Sequence, residues 1–238
     1  MGARSDFRTN LRSWVDRPDL LDPVVDDWIT FAEERVNSEL RHKDMINRVQ
    51  IPFLELCNPL PWDWLEIEYL KYVQNVTNPD INIRSGRTLT FKPKHEYWDM
   101  VGRIVYVQQP GLPMYSNYYY TTQPIYTIIG NAIYVSPEPN PDGSTYFEIS
   151  YYAKVAPLAD VADPNNPNIG SDGSNWLYNN QRRLYTYAAL AASAPRLQED
   201  DRVAMWEQLA SERIQKLNDQ SDRATHSGSP LRPKLRVF

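Results

Sequence analysis

Apolar residues recur at helical spacing near both ends of the chain and at strand spacing in its middle. Val25, Trp28, Ala32, Val36 and Leu40 form one stripe, with Asp26, Asp27, Glu33 and Glu34 off it, and predict a helix from Asp22 to about Arg41. Asp22-Pro23 marks its start, with Asp as N-cap and Pro at the first helical position. Early acids, and Arg41, His42 and Lys43 late, suit the helix dipole. Phe7, Leu11 and Trp14 predict a shorter helix, Phe7–Val15, ahead of it. After Asn175, Leu184, Tyr187, Ala188 and Ala191 share one face of a helix over Gln181–Ala194, which Pro195 ends. A last helix, about Glu199 to Ala224, carries the stripe Val203, Trp206, Ala210, Ile214 and Leu217 behind three opening acids.

From Ile46 the period shortens. Arg48-Val49-Gln50-Ile51 alternates, as does Leu65-Glu66-Ile67-Glu68-Tyr69, which runs on to Val73. Asn58, Pro59 and Pro61 supply the turn between these strands. Thr88–Phe91, Gln123–Ile129, Ala132–Val135 and Thr145–Tyr152 read as further strands, with Gly130-Asn131 a tight turn and Lys94–Val101 a short helix opened by Pro93. The pattern predicts an α+β protein. Residues 1–45 and 175–226 would form a helical bundle, 46–174 an inserted antiparallel β-rich domain with long loops, and 227–238 an extended C-terminal arm.

Two stretches lack either period. Gln108–Thr122 contains Tyr118, Tyr119 and Tyr120. As an exposed loop this run would give rigid contact area to another subunit; as an edge strand, alternate tyrosines would pack beneath it. Pro157–Ser174, rich in Asn, Asp, Pro and Gly, reads as a connector. The arm opens on the flexible joint Ser227-Gly228-Ser229 and continues Pro230, Leu231, Arg232, Pro233, Lys234, Leu235, Arg236, Val237, Phe238. Four apolar side chains and three cations without an acid cannot form a core alone. They suit an arm that orders on a partner.

The 238 residues are 42% hydrophobic and 23% charged, enough to bury a sizeable core. A net charge of −5 argues against a protein that coats nucleic acid, since the cations are local to the tail. One cysteine, Cys57, excludes an intrachain disulfide framework and fits a reducing compartment. No apolar run approaches membrane-spanning length, and Met1–Asp6 leads into polar sequence without a signal core.

Catalytic motifs are lacking. His42, His95 and His226 have no metal-ligand spacing, and there is no phosphate-binding glycine loop and no nucleophile elbow. No cofactor is expected. Glu66 and Glu68 fall on one face of a predicted strand, close to Asp63, with Trp62 and Trp64 able to stack on a sugar. That makes a carbohydrate-binding or cell-wall-degrading tail protein the alternative reading.

The run Trp28-Ile29-Thr30-Phe31-Ala32-Glu33-Glu34-Arg35-Val36-Asn37-Ser38-Glu39-Leu40-Arg41 is followed in order by Ile149-Ser150-Tyr151-Tyr152, Asn175-Trp176-Leu177, Leu184–Leu190, Glu199-Asp200-Asp201-Arg202 and Ser227–Leu231. This ordered set resembles the head-to-tail adaptor (connector) proteins of bacteriophages with short tails, the first run being similar to their first long helix, while Gln108–Thr122 departs from the pattern. The resemblance implies a non-enzymatic virion protein. Twelve copies would form a ring below the portal vertex, extend the DNA channel and carry the tail nozzle protein. It further implies that Pro230–Phe238 reaches along the portal protein. Genomic DNA would pass through without sequence-specific binding, and no membrane is involved.

Overall fold

The computed structural model describes residues 2–52, 57–75, 84–102, 124–136, 145–163, 166, 168–193 and 202–226. It is an α+β protein whose chain divides into two compact units, one of residues 1–45 and 154–238, the other of residues 46–153.

The first unit is helical: α1 (Ala3–Val15), α2 (Asp22–Glu39), then, beyond the second unit, α4 (Trp176–Asn180), α5 (Arg182–Ala192) and α6 (Arg202–His226). Helix α5 packs on α1, α2, α4 and α6. Its small residues permit this, because Ala188, Ala189 and Ala191 are buried and let neighbouring backbones approach. The α6 stripe is Trp206, Ala210, Ile214 and Leu217, continued by Ser221.

Three sequence expectations change here. Trp14 is 46% exposed, because the buried line of α1 is Ala3, Phe7, Leu11 and Val15 at strict four-residue spacing, which leaves Trp14 at its edge. Leu21, not Asp22, is the N-cap residue of α2; Asp22 lies in the first turn and pairs with Arg12. Glu33 is buried, not off the stripe, for reasons given below.

Residues 157–174 do more than connect. Ala3 N and Arg4 N at the start of α1 donate to Asp172 O (2.8 Å) and Ala159 O (3.1 Å), and Ser5 N donates to Asp160 Oδ1 (2.8 Å). The loop thus satisfies the orphan N–H groups of α1. A Cβ on Gly2 would collide with the Asp160 backbone, so this close approach needs glycine.

The second unit has two four-stranded sheets. Strands β1 (Ile46–Pro52), β8 (Thr145–Ala153), β3 (Trp64–Asn75) and β4 (Arg84–Thr88) form one, in the order β1-β8-β3-β4, all antiparallel. Strands β2 (Cys57–Pro59), β7 (Ala132–Ser136), β6 (Ile125–Ile129) and β5 (Thr90–Phe91) form the other, in the order β2-β7-β6-β5. Its β5–β6 pair is parallel, a departure from the expected antiparallel pattern, since β5 is followed by a helix, α3 (Lys94–Gly102), before the chain returns in β6. Leu70, Phe147, Ile149, Tyr151 and Ala153 from the first sheet share one core with Tyr126, Ile133 and Val135 from the second.

The Asn58-Pro59 turn is instead the edge strand β2, where Asn58 is buried opposite Ile133. Proline is tolerated there because an edge strand needs donors on one side only.

Candidate functional site

The expected contact residues Pro230, Leu231, Arg232, Pro233, Lys234, Leu235, Arg236, Val237 and Phe238, and the run Tyr118, Tyr119 and Tyr120, lie outside the described residues. What the structure does place is the α2 run that carries the family resemblance, and its polar residues turn out to be braces.

Glu33 leaves the polar side of α2 because its neighbours offer two donors. Its Oε1 accepts from Tyr185 Oη on α5 (2.5 Å) and from Leu158 N (2.8 Å). Burial pushes the Glu33 carboxyl up, against the opposing pull of these two hydrogen bonds. Burial and then the Glu33 charge push the Tyr185 phenol well above its ordinary range.

One turn on, Asn37 Oδ1 accepts from Val155 N (2.8 Å). Asn175 completes the set. Its Nδ2 donates to Ala156 O (2.6 Å) and its Oδ1 caps α4 by accepting from Tyr178 N (2.8 Å). The extended segment 155–158 is therefore held by side chains on both sides, although it belongs to no sheet.

The remaining motif residues tie α2 to α6. Arg35 makes a two-pronged contact with Glu207 (2.7 Å each) and reaches Ser211 Oγ (2.9 Å). Asn218 accepts from Arg41 N (2.8 Å) and donates to Glu39 O (3.0 Å), closing the C-terminal end of α2. At the other end Asp26 accepts from Arg4 and Arg8 on α1, each at 2.8 Å. Burial pushes the Asp26 carboxyl up, but the hydrogen bonds from Arg8 and Arg4 outweigh it and hold the group below the ordinary aspartate range.

What these braces leave on the surface is specific. The outward side of α2 presents Asp27, Phe31 and Glu34, with Phe31 52% exposed and neither acid in an ion pair among the described residues. On α5, Arg183 is exposed and likewise without an ion pair among the described residues. One turn on, Tyr187 meets Trp14 edge-on at 6.2 Å. A cleft of about 330 Å³ beside the end of α1 is lined by Thr9, Arg12, Ser13, Asp16 and Pro18. Its Arg12 is already committed to Leu20 O and Asp22.

In the second unit the supposed sugar-binding acids are not gathered. Asp63 is buried and accepts from Tyr151 Oη (3.0 Å), while Glu68 accepts from Ser150 Oγ (2.6 Å). The register of β3 against β8 slips twice, between Trp64 and Glu66 and between Ile67 and Tyr69. Glu68 is thus the extra residue of a bulge and meets Ser150, on the same exposed face as Glu66 opposite Tyr152, while Asp63 meets Tyr151 on the core side, so the three acids do not converge. Trp64 packs against the core and donates to Asn131 Oδ1 (2.5 Å), whereas Trp62 is 69% exposed. No group of three or more metal-ligating side chains occurs among the described residues, and no helix among them is long and apolar enough to cross a membrane.

The described residues present a braced α+β scaffold with charged and aromatic outer faces. The chain belongs to the SU10 adaptor protein family, whose sequence profile matches residues 4–234. Membership places it among the structural adaptor proteins of bacteriophages, components of the virion that associate with other virion proteins. Comparison with the curated proteins finds no match.

Proposed function

We propose that this protein is a head-to-tail adaptor that forms a ring between the portal vertex and the tail. The ring extends the channel through which genomic DNA leaves, carries the tail nozzle protein below, and acts without catalysis. The observation that carries this reading is the adaptor-family match over residues 4–234. Ring closure by twelve copies and a place in the virion neck, after synthesis in the host bacterial cytoplasm, belong to the same proposal. The net charge of −5 supports a conduit, because clustered cations would release counterions from DNA and retard its exit.

Within this reading, residues 230–238 form the portal-binding arm. Leu231, Leu235, Val237 and Phe238 supply apolar anchors and Arg232, Lys234 and Arg236 the charge. Each arm pays for its own ordering and binds modestly, and a ring of tethered arms recovers affinity through effective concentration. Tyr118–Tyr120 supply a contact to a neighbouring subunit or the tail.

Light scattering on the purified protein, alone and mixed with portal, tests the reading. Stoichiometric addition to portal is expected, and its loss on deleting residues 227–238 while the melting transition stays in place. Absence of association removes the adaptor reading; association that survives the deletion removes only the arm assignment.

A further inference from the structure

A ring needs two different surfaces on each subunit, one to present and one to receive. We propose that the outward stripe of α2, Asp27, Phe31 and Glu34, docks on the Arg183, Tyr187 and Trp14 surface of the next copy of this chain. This inference rests on the ring reading above and names the surfaces that close it.

The α2 stripe stands out by what it fails to do inside its own unit. The four other acids of the same helix are engaged: Asp22 with Arg12, Asp26 with Arg4 and Arg8, Glu33 with Tyr185 and Leu158 N, and Glu39 with Arg35. Asp27 and Glu34 are exposed and make no ion pair among the described residues, and between them Phe31 holds half its surface in water. These three positions lie at i, i+4 and i+7, so they form one ridge.

The receiving surface has the opposite charge and the same kind of apolar centre. Arg182 is occupied over the Tyr178 ring at 4.9 Å, which leaves Arg183 as the uncommitted cation of this pair. Tyr187 lies one turn further along α5 and Trp14, 46% exposed, meets it edge-on. An aromatic cluster beside an arginine is the composition that dominates the energetics of protein contacts. Phe31 would pack against the Trp14 and Tyr187 rings, with Arg183 between the two acids.

Geometry keeps the two surfaces of one copy apart, and charge disfavours a symmetric pairing of ridges. Helix α2 turns Trp28, Ile29, Ala32 and Val36 into the core and packs on α5. The Phe31 ridge points the other way, so the two surfaces of one copy cannot meet. A symmetric contact of two α2 ridges would set acids against acids, which like-charge repulsion disfavours.

Two full-length variants test this: Asp27→Arg with Glu34→Arg, and Arg183→Glu. Ring formation is followed by sedimentation, with and without isolated portal rings of the parent phage, and folding by circular dichroism. Each variant alone should need about tenfold more protein, or greater, to assemble than wild type. An equimolar mixture should recover assembly, because the reversed ridge of the first variant then meets the reversed receiving surface of the second, and the two native surfaces meet in turn. Unimpaired assembly of either variant alone, or a mixture that does not recover, overturns the pairing and leaves the ring reading standing. A wild-type chain that forms no ring in either condition overturns both.

Discussion

Tyr185 on α5 donates its phenolic hydrogen to Glu33 on α2 at 2.5 Å, inside the helical unit and beside the backbone N–H of Leu158. Tyr185 is fully buried and Glu33 nearly so, which makes their bond the point where two helices and the segment after β8 are fixed together.

Removing one side of that bond leaves a buried acceptor short of a donor. Tyr185→Phe should cost about 1–3 kcal/mol of stability. Glu33→Gln should cost far less, since an amide oxygen can accept from both donors. The sign of its pH dependence follows from the raised Glu33 carboxyl: wild-type stability from this group is present below the ordinary glutamate range and is lost as pH rises through the raised folded value. The Gln variant should therefore gain on wild type towards neutral pH. Urea melts across pH 4–8 check this, and a difference that stays flat with pH would contradict the assignment.

Asp26 has the opposite sign. Its folded value is lowered, so its contribution is present above the ordinary aspartate range and is lost as pH falls through that lowered value. Asp26→Asn should cost about 1–2 kcal/mol at neutral pH, allowing for solvent screening of a partly exposed pair. The cost should vanish in acid. Hydrogen exchange should show the loss concentrated in α1, which Asp26 holds through Arg4 and Arg8.

In the second unit, burial and then the neighbouring Asp63 charge push the Tyr151 phenol up to about 12. Its contribution is present below the ordinary tyrosine range and is lost as pH rises through that value. Tyr151→Phe should leave Asp63 buried without this donor and cost about 1–3 kcal/mol. Alkaline spectrophotometric titration should show one late-ionising tyrosine fewer in the variant.

The two tryptophans that flank Asp63 should separate cleanly. Trp64 packs against the core and is bonded to Asn131, so Trp64→Ala should cost about 3 kcal/mol or more. Trp62 is mostly in solvent, and Trp62→Ala should stay within about 0.5 kcal/mol. Chemical denaturation of both variants measures the contrast; a sugar-binding role for the pair would instead appear as lost glycan binding in both.

Local periodicity carried much of the secondary structure. The stripes of α2, α5 and α6 and the alternation of β7 and β8 are legible because one side of each element faces a core, and the period of the apolar residues follows directly from backbone geometry. Glu33 shows the limit of that signal. Its charge marks it as a surface residue, and only the arrival of Tyr185, 152 positions away, supplies the donor that makes burial tolerable. Trp14 errs the other way: apolar in the sequence, it stays half in water because α5 offers it only the edge of Tyr187.

By itself, then, the sequence determined the helices α1, α2, α3, α5 and α6, the strands β1, β3, β6, β7 and β8, and the α+β class, since these depend on neighbours within a few residues. Tertiary structure alone decided the strand order β1-β8-β3-β4, the bulge that takes Glu68, the edge strand at Asn58, and the use of loop 157–174 to satisfy the start of α1. Each of these is set by hydrogen-bond partners far away in the chain, and a donor's need for a partner is written locally while the partner's identity is not.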